Sequence, residues 1–491
     1  MSMLRRIFLS AGLAAAMLAA GAVASEAAAG SQSSHGTYSV VILPPNGGPD
    51  SFAAGYLIYA ALNNLGTVGV AADTTAGGSN NYIWTDGRQA DLQPLPQLSQ
   101  LTGTNTTINW INQWGLVAGF GTRTDTSTGQ SYDTAALWLP NGTILPLPTP
   151  PASTSRAVWV NDFGQASGWI APGAVPDPCS FGVGDGLQSQ AVIWEFGQAH
   201  PLGSLGGTDS YGEFINDLGQ ISGHAQTSNV DYAVLGNCPP FDPFVWQNGR
   251  MIDINPGNFG GLEGGTNYLN NHGQAVGFGT LAGEVYSHAF LWGNGKLTDL
   301  TKLGSLGAQN QEGDTAYNVN ELGHVIGGST TTEGKFLGVL WRNGEFVGLL
   351  SLSAEGDDCS EPIRINSRDQ IVGVSFSCET GVQHAFIWEN GSMADLNTLI
   401  PADAGISLVY AGWINDEGVI AGQGVLTSGA SQGASRAVLL IPTGGSREGW
   451  DGLPGAALNR SGSSALLHTA DGLINPLILH PFDPGKLFHR E

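Results

Sequence analysis

His288 and His384 head two identical tripeptides, His288-Ala289-Phe290 and His384-Ala385-Phe386. Imidazole suits acid–base and metal chemistry near neutral pH. Both histidines hold the same place in a repeated pattern, however, so they read as markers of a structural unit that serve strand pairing. No G-x-S-x-G elbow, H-E-x-x-H pair, phosphate loop ending in Gly-Lys-Ser/Thr or EF-hand loop accompanies them. A second pattern is aromatic. Trp110, Trp159, Phe214, Tyr268 and Trp413 each stand two residues before a recurring Asn, and Arg364 takes that position in another copy. Aromatic faces at a channel mouth can stack on sugars or on apolar parts of a ligand; packing between structural units is the commoner use of such positions. Trp114, inside a turn where other copies are mostly small or polar, is the aromatic expected to be exposed. A third pattern is acidic. Asp162, Asp217, Glu321 and Asp416 each follow the recurring Asn directly. Four carboxylates arranged radially have ligand chemistry for calcium; solvated turn acids that keep the chain soluble are the simpler explanation.

The units that must position these side chains are copies of one another. An aliphatic-Asn pair, a turn and a second strand recur at Asn63, Asn112, Asn161, Asn216, Asn270, Asn320, Asn366 and Asn415, spaced 49, 49, 55, 54, 50, 46 and 49 residues apart. Val160-Asn161-Asp162-Phe163-Gly164-Gln165-Ala166-Ser167-Gly168 is a clear copy. The Asn side chain can cap the turn, and the Gly three residues on takes φ > 0 without a Cβ penalty. Asp369 breaks this in the seventh copy. The second Gly, such as Gly168 or Gly223, lies in a strand and implies close approach of a neighbouring backbone. Each copy continues with a strand ending in Trp (Trp84, Trp138, Trp194, Trp246, Trp292, Trp341, Trp388). Asn-Gly or Asp-Gly follows in six of them, as at Asn141-Gly142, Asn248-Gly249 and Asp86-Gly87. Such a pair predicts a type I′ hairpin into a fourth strand.

Units of four short antiparallel strands cannot cover both faces alone and must stack. The expected fold is all-β: a β-propeller of about eight four-stranded blades over residues 38–442. The eighth copy ends after its third strand, Arg436–Leu440, and an orphan strand at Tyr38–Leu43 is the candidate to complete it. An open solenoid and seven blades with a stray unit are the alternatives. Residues 443–491 read as a Gly/Ser-rich, mostly disordered tail with a degenerate half-unit.

Composition limits the partners. Forty-one acidic against 17 basic residues give a net charge of −24, which repels nucleic acid. Charged residues make up 12% and glycines number 73, which argues against coiled coils and helical bundles. Residues 1–24 have the features of an export signal: Arg5-Arg6, an apolar run and Ala22-Val23-Ala24 before a cleavage point. Arg5-Arg6-Ile7-Phe8-Leu9 partly matches a twin-arginine signal. Residues 25–37 then form a linker. Four cysteines fit export to the periplasm, the cell surface or the medium. Cys359 and Cys378 are equidistant from a hairpin turn, and Cys179 and Cys238 occupy equivalent loops of neighbouring units, so both pairs are expected as disulfides.

These pieces resemble the HAF-repeat family of probable extracellular bacterial proteins, through the His-Ala-Phe tripeptides at His288 and His384 and the linker Leu202-Gly203-Ser204-Leu205-Gly206-Gly207. The resemblance spans about residues 38 to 442. It implies a secreted repeat protein and transfers no catalytic residue. The expected function is a non-enzymatic module binding an extracellular carbohydrate or protein. The rather long loops Ile170–Gln190 and Gln226–Pro240 are expected to carry variation. The rival is a propeller lyase or hydrolase acting on polysaccharide, and a third possibility is a structural surface protein.

Overall fold

The computed structural model describes residues 35–56, 59–74, 80–97, 101–177, 179, 186–228, 238–255, 260–282, 286–307 and 313–443. The proposed signal, the tail after residue 443, and parts of both long loops (178, 180–185 and 229–237) lie outside the described residues. Thirty-two strands form eight antiparallel sheets of four, each a meander, so the fold is an eight-bladed β-propeller. Strand β1 (Tyr38–Ile42) completes the last blade by pairing with β32 (Ser435–Pro442), in register Tyr38↔Pro442 to Ile42↔Val438. The ring is therefore closed by the orphan strand. The solenoid and seven-blade alternatives are excluded.

The hairpins explain the blades. Asn248, Asn294, Asn343 and Asn390, with Asp86, all take φ near +50°, and the glycine after each is also left-handed, as type I′ turns require. Two hairpins differ. Pro140 precedes Asn141, and only Gly142 of that pair has φ > 0, because the proline ring holds the turn's start at negative φ. In blade 3 Phe196 occupies the Asn position, with φ 49°, and its side chain is exposed.

Each Asn turn is held from inside. The Asn161 Oδ1 accepts from the main-chain N–H groups of Phe163 and Gln165, while the Gly164 N–H donates to the Asn161 carbonyl. The same amide reaches outward. Nδ2 of each recurring Asn donates to the main-chain carbonyl of the Asn in the next blade, from Asn63 to Asn112 and onward until Asn415 returns to Asn63. All eight bonds measure 2.9 to 3.0 Å and all eight asparagines are buried.

Two further features shape the inner strands. Seven of them shift register three residues before the Asn, so that Asn109, Val158, Glu213, Asn267, Tyr317, Ile363 and Gly412 are β-bulges. The glycine in the second strand faces the carbonyl across the hairpin. A Cβ on Gly168 or Gly223 would collide with the carbonyl oxygen of Arg156 or Tyr211. Both expected disulfides are formed, with Cα–Cα separations of 5.3 Å for Cys179–Cys238 and 5.6 Å for Cys359–Cys378.

The girdle is a stability device with a measurable share. Asn216→Ala removes acceptors for Leu218 and Gln220 and a donor to Asn270 inside a buried turn. It should lower unfolding free energy by about 3 kcal/mol in urea titrations. Leu218→Ala, on the exposed side of the same turn, should stay within about 0.5 kcal/mol of the parent.

Candidate functional site

The eight Asn turns share one end of the ring and build a second, outer girdle there. In seven of the eight turns the residue after the Asn has its N–H bonded by the side chain at the same position in the next blade. Asn64 donates to Gln113, Gln113 to Asp162, Asp162 to Asp217, Asp217 to Asn271 and Asn271 to Glu321. Ser367 donates to Asp416 and Asp416 to Asn64. Among the described residues the one open step lies between Glu321 and Ser367, where the serine side chain is shorter. The acids Asp162, Asp217, Glu321 and Asp416 are therefore struts between turns, spread around the ring. Among the described residues the one trio of metal-ligand type brought close together is Asp358, Cys359 and Cys378, and its two sulfurs form a disulfide.

Inside the girdles lies a cup of about 290 Å³, just under the usual size of small-molecule sites. Trp110, Trp159, Tyr268, Trp413 and Arg364 form its floor, and the girdle amides and carboxylates form its wall. The five aromatic residues that precede the recurring Asn do converge, and they close the central channel. Trp110 stacks on Trp159 at 3.6 Å between centroids, Trp110 meets Trp413 edge-on at 4.5 Å, and Phe214 lies 5.0 Å from Trp159 and 5.4 Å from Tyr268. All five are under 9% exposed. They pack chiefly on one another, and four of them show an edge to the cup.

The stopper behind them comes from a segment the repeat pattern does not announce. In blade 1 the inner strand stops at Ala53, and the chain makes an excursion before resuming at Ala61, whose N–H donates to Ala54. The Tyr59 ring enters the bore against Phe214, Tyr268 and Trp413. Its hydroxyl donates toward the bulge carbonyls of Asn267 and Tyr317, and the Ala60 N–H takes the bulge carbonyl of Gly412. The bulges thus present the very carbonyls the stopper needs. No sequence signal marked Tyr59, because its copy lacks the aromatic position; only the misfit of the first unit hinted at it.

Arg364 is the cation of the site. Its guanidinium lies 4.0 Å from the Trp413 ring centroid and 4.8 Å from that of Tyr268, and Nη1 donates to Asn318 Oδ1 at 2.8 Å. Burial raises the Tyr268 hydroxyl, with Arg364 opposing. Burial also raises Asp162, and neighbouring Asp217 adds to that, against the Gln113 N–H. Asp416 ends below its usual value: burial pushes it up, but hydrogen bonds from Ser367 and Asn64 together with Arg364 outweigh that push.

Trp114 is 56% exposed, and its indole N–H donates to the Asp162 carbonyl. His288 and His384, in contrast, pair through Nδ1 with Asp299 and Asp357 at 3.2 and 3.0 Å, as residues bracing strands to neighbouring segments. Past the stopper, half-buried Glu361 sits beside Tyr317 and Tyr410, and burial lifts its carboxyl to about 7, with a hydrogen bond from Tyr317 opposing.

No family model matches the chain, and no curated protein matches it. Solved structures do. The propeller domain of the trilobed protease from Pyrococcus furiosus aligns at 11% identity with TM-score 0.39, covering 71% of this chain and 98% of that one. Polysaccharide lyase Uly1 aligns at 10% identity and TM-score 0.31, over 72% of this chain and 90% of that one. AofleA from Arthrobotrys oligospora aligns at 11% and 0.28, over 73% and 88%. At such values the likeness carries no argument about activity or ligand.

Glu361 makes a pH prediction. Its folded value lies above the ordinary 4.5, so the neutral acid favours the fold. That contribution is complete below about pH 4.5 and is lost as pH rises toward 7. Glu361→Gln should flatten this part of the stability–pH profile and gain up to about 3 kcal/mol at pH 8 in urea titrations.

Proposed function

We propose that this protein is an exported, non-enzymatic binding module, of the HAF-repeat type, that takes an extracellular carbohydrate or protein group into the cup at the turn end of its ring. The observation that carries this reading is the cup itself: aromatic edges and one guanidinium at the floor, with amides and carboxylates around the wall. Aromatic faces with directed polar groups fix orientation in binding sites. The wall carboxylates already accept main-chain N–H groups from neighbouring turns, which suits a rigid, preorganised receptor more than proton-transferring groups. Two disulfides fit an oxidising compartment, and among the described residues no helix is long and apolar enough to cross a membrane.

One observation favours the rival, a polysaccharide-cleaving enzyme. Glu361, at about 7 and beside two tyrosines, is the kind of group general acid–base catalysis uses. A screen of the chain from residue 25 against a polysaccharide and protein array, followed for both retention and released products, separates the readings. Retention without product, weakened at least tenfold by Arg364→Met, is the expected result. Product release abolished by Glu361→Gln would replace the binding reading with the enzymatic one.

A further inference from the structure

The turn end of the ring carries an apolar crown outside the girdles. The second residue after each recurring Asn points away from the fold, and in blades 1, 2, 3, 4 and 6 it is Leu65, Trp114, Phe163, Leu218 and Leu322. These are 63%, 56%, 71%, 67% and 61% exposed. Scattered exposed leucines are ordinary; five large apolar side chains at one repeat position, circling one cup, are not. Apart from the Trp114 indole N–H, which donates to the Asp162 carbonyl, these side chains serve no hydrogen bond of the fold. The turn they sit in is held by the Asn amide and a left-handed glycine, for which any side chain at that position would serve. Blade 5 has His272 there, bonded to Glu321, and blades 7 and 8 have Arg368 and Glu417.

We infer that this crown is a protein-docking face, whose partner presents apolar side chains on a basic surface. The partner's chemistry follows from charge. The crown encircles Asp162, Asp217, Glu321 and Asp416, and the whole chain carries −24, so an acidic or strongly anionic surface is repelled and a basic one attracted. A second copy of the same face would set acid girdle against acid girdle. Leucine-rich crowns also suit a protein surface better than a sugar, whose hydroxyls need polar partners.

This inference rests on the turn end being the binding face, and it narrows the ligand to a protein. The probe is a synthetic amphipathic peptide of leucines and lysines, titrated against the chain from residue 25 by calorimetry, with a control peptide in which serines replace the leucines. The expected result is binding that weakens at least tenfold for the control peptide, at least tenfold for the Phe163→Ser/Leu218→Ser variant, and at least tenfold in 0.5 M salt. No binding, equal binding of the control peptide, or indifference to the double variant overturns the inference. Peptide binding that appears only after residues 444–491 are removed also overturns it, because the chain's own segment would then be the occupant. Self-association lost in the double variant overturns it in favour of a second copy. Glycan retention that needs Arg364 but not the crown would sink this inference while leaving the cup as a binding site, and silence of both assays would sink both.

Discussion

One carboxamide per blade carries the architecture. Each recurring Asn accepts two main-chain N–H groups of its own turn and donates to the main chain of the next blade, and the eighth returns to the first. A side chain that is both turn cap and inter-blade strut couples local conformation to ring closure. The turn must form for the amide to be aimed, and the neighbour must be in place for Nδ2 to be satisfied. Buried amides left without partners are costly, so partial assembly is penalised at every step. The outer girdle, the cup wall and the apolar crown all hang from these turns, at the next one or two residues along the chain. Unit lengths from 46 to 55 residues are absorbed in loops away from the girdle, where no such bond has to be kept.

The channel shows how a propeller of eight blades avoids an empty bore. Eight inner strands leave a wider axis than side chains from seven regular positions fill, and blade 1 contributes Tyr59 on an excursion of its own strand. The β-bulges that bend the other inner strands free carbonyls toward the axis, and the excursion pairs three of them. Arg364 is then held over aromatic faces at the boundary between the filled bore and the cup.

Departures from the repeat have local causes. Asp369 takes the place of a turn glycine, at φ 59°, and its carboxylate meets His324, Asn320 and Arg342 of blade 6. In blades 3, 4, 5 and 7 a Gln stands where His324 does, and in blades 3, 4 and 7 it relays from the Asn amide to a Glu or Gln at the end of the third strand, as Gln165 does to Glu195. The missing Gln and the missing Gly are one exchange: an imidazole in blade 6 needs a carboxylate, and the adjacent turn supplies it at some backbone strain.

Much of the fold was legible because its signals are short-range and repeated eight times. Asn-x-x-Gly turns, Asn-Gly hairpins and strand glycines each encode a φ/ψ demand that only a few residues meet, and the orphan strand at Tyr38 could be matched to the incomplete last blade by arithmetic. The two disulfides followed in the same way from position within the unit. What the unit could not encode is anything read across blades or across the axis. The sequence put Trp110, Trp159, Phe214, Tyr268 and Trp413 at one repeat position, but whether they faced ligand or one another depended on the bore diameter and on Tyr59. It placed Asp162, Asp217, Glu321 and Asp416 in turns, but their use as struts needed the neighbouring N–H groups that only ring closure brings within 3.3 Å. The crown was invisible for the same reason: Leu65 and Phe163 are nearly a hundred residues apart, and only the circular arrangement makes them neighbours on one exposed face.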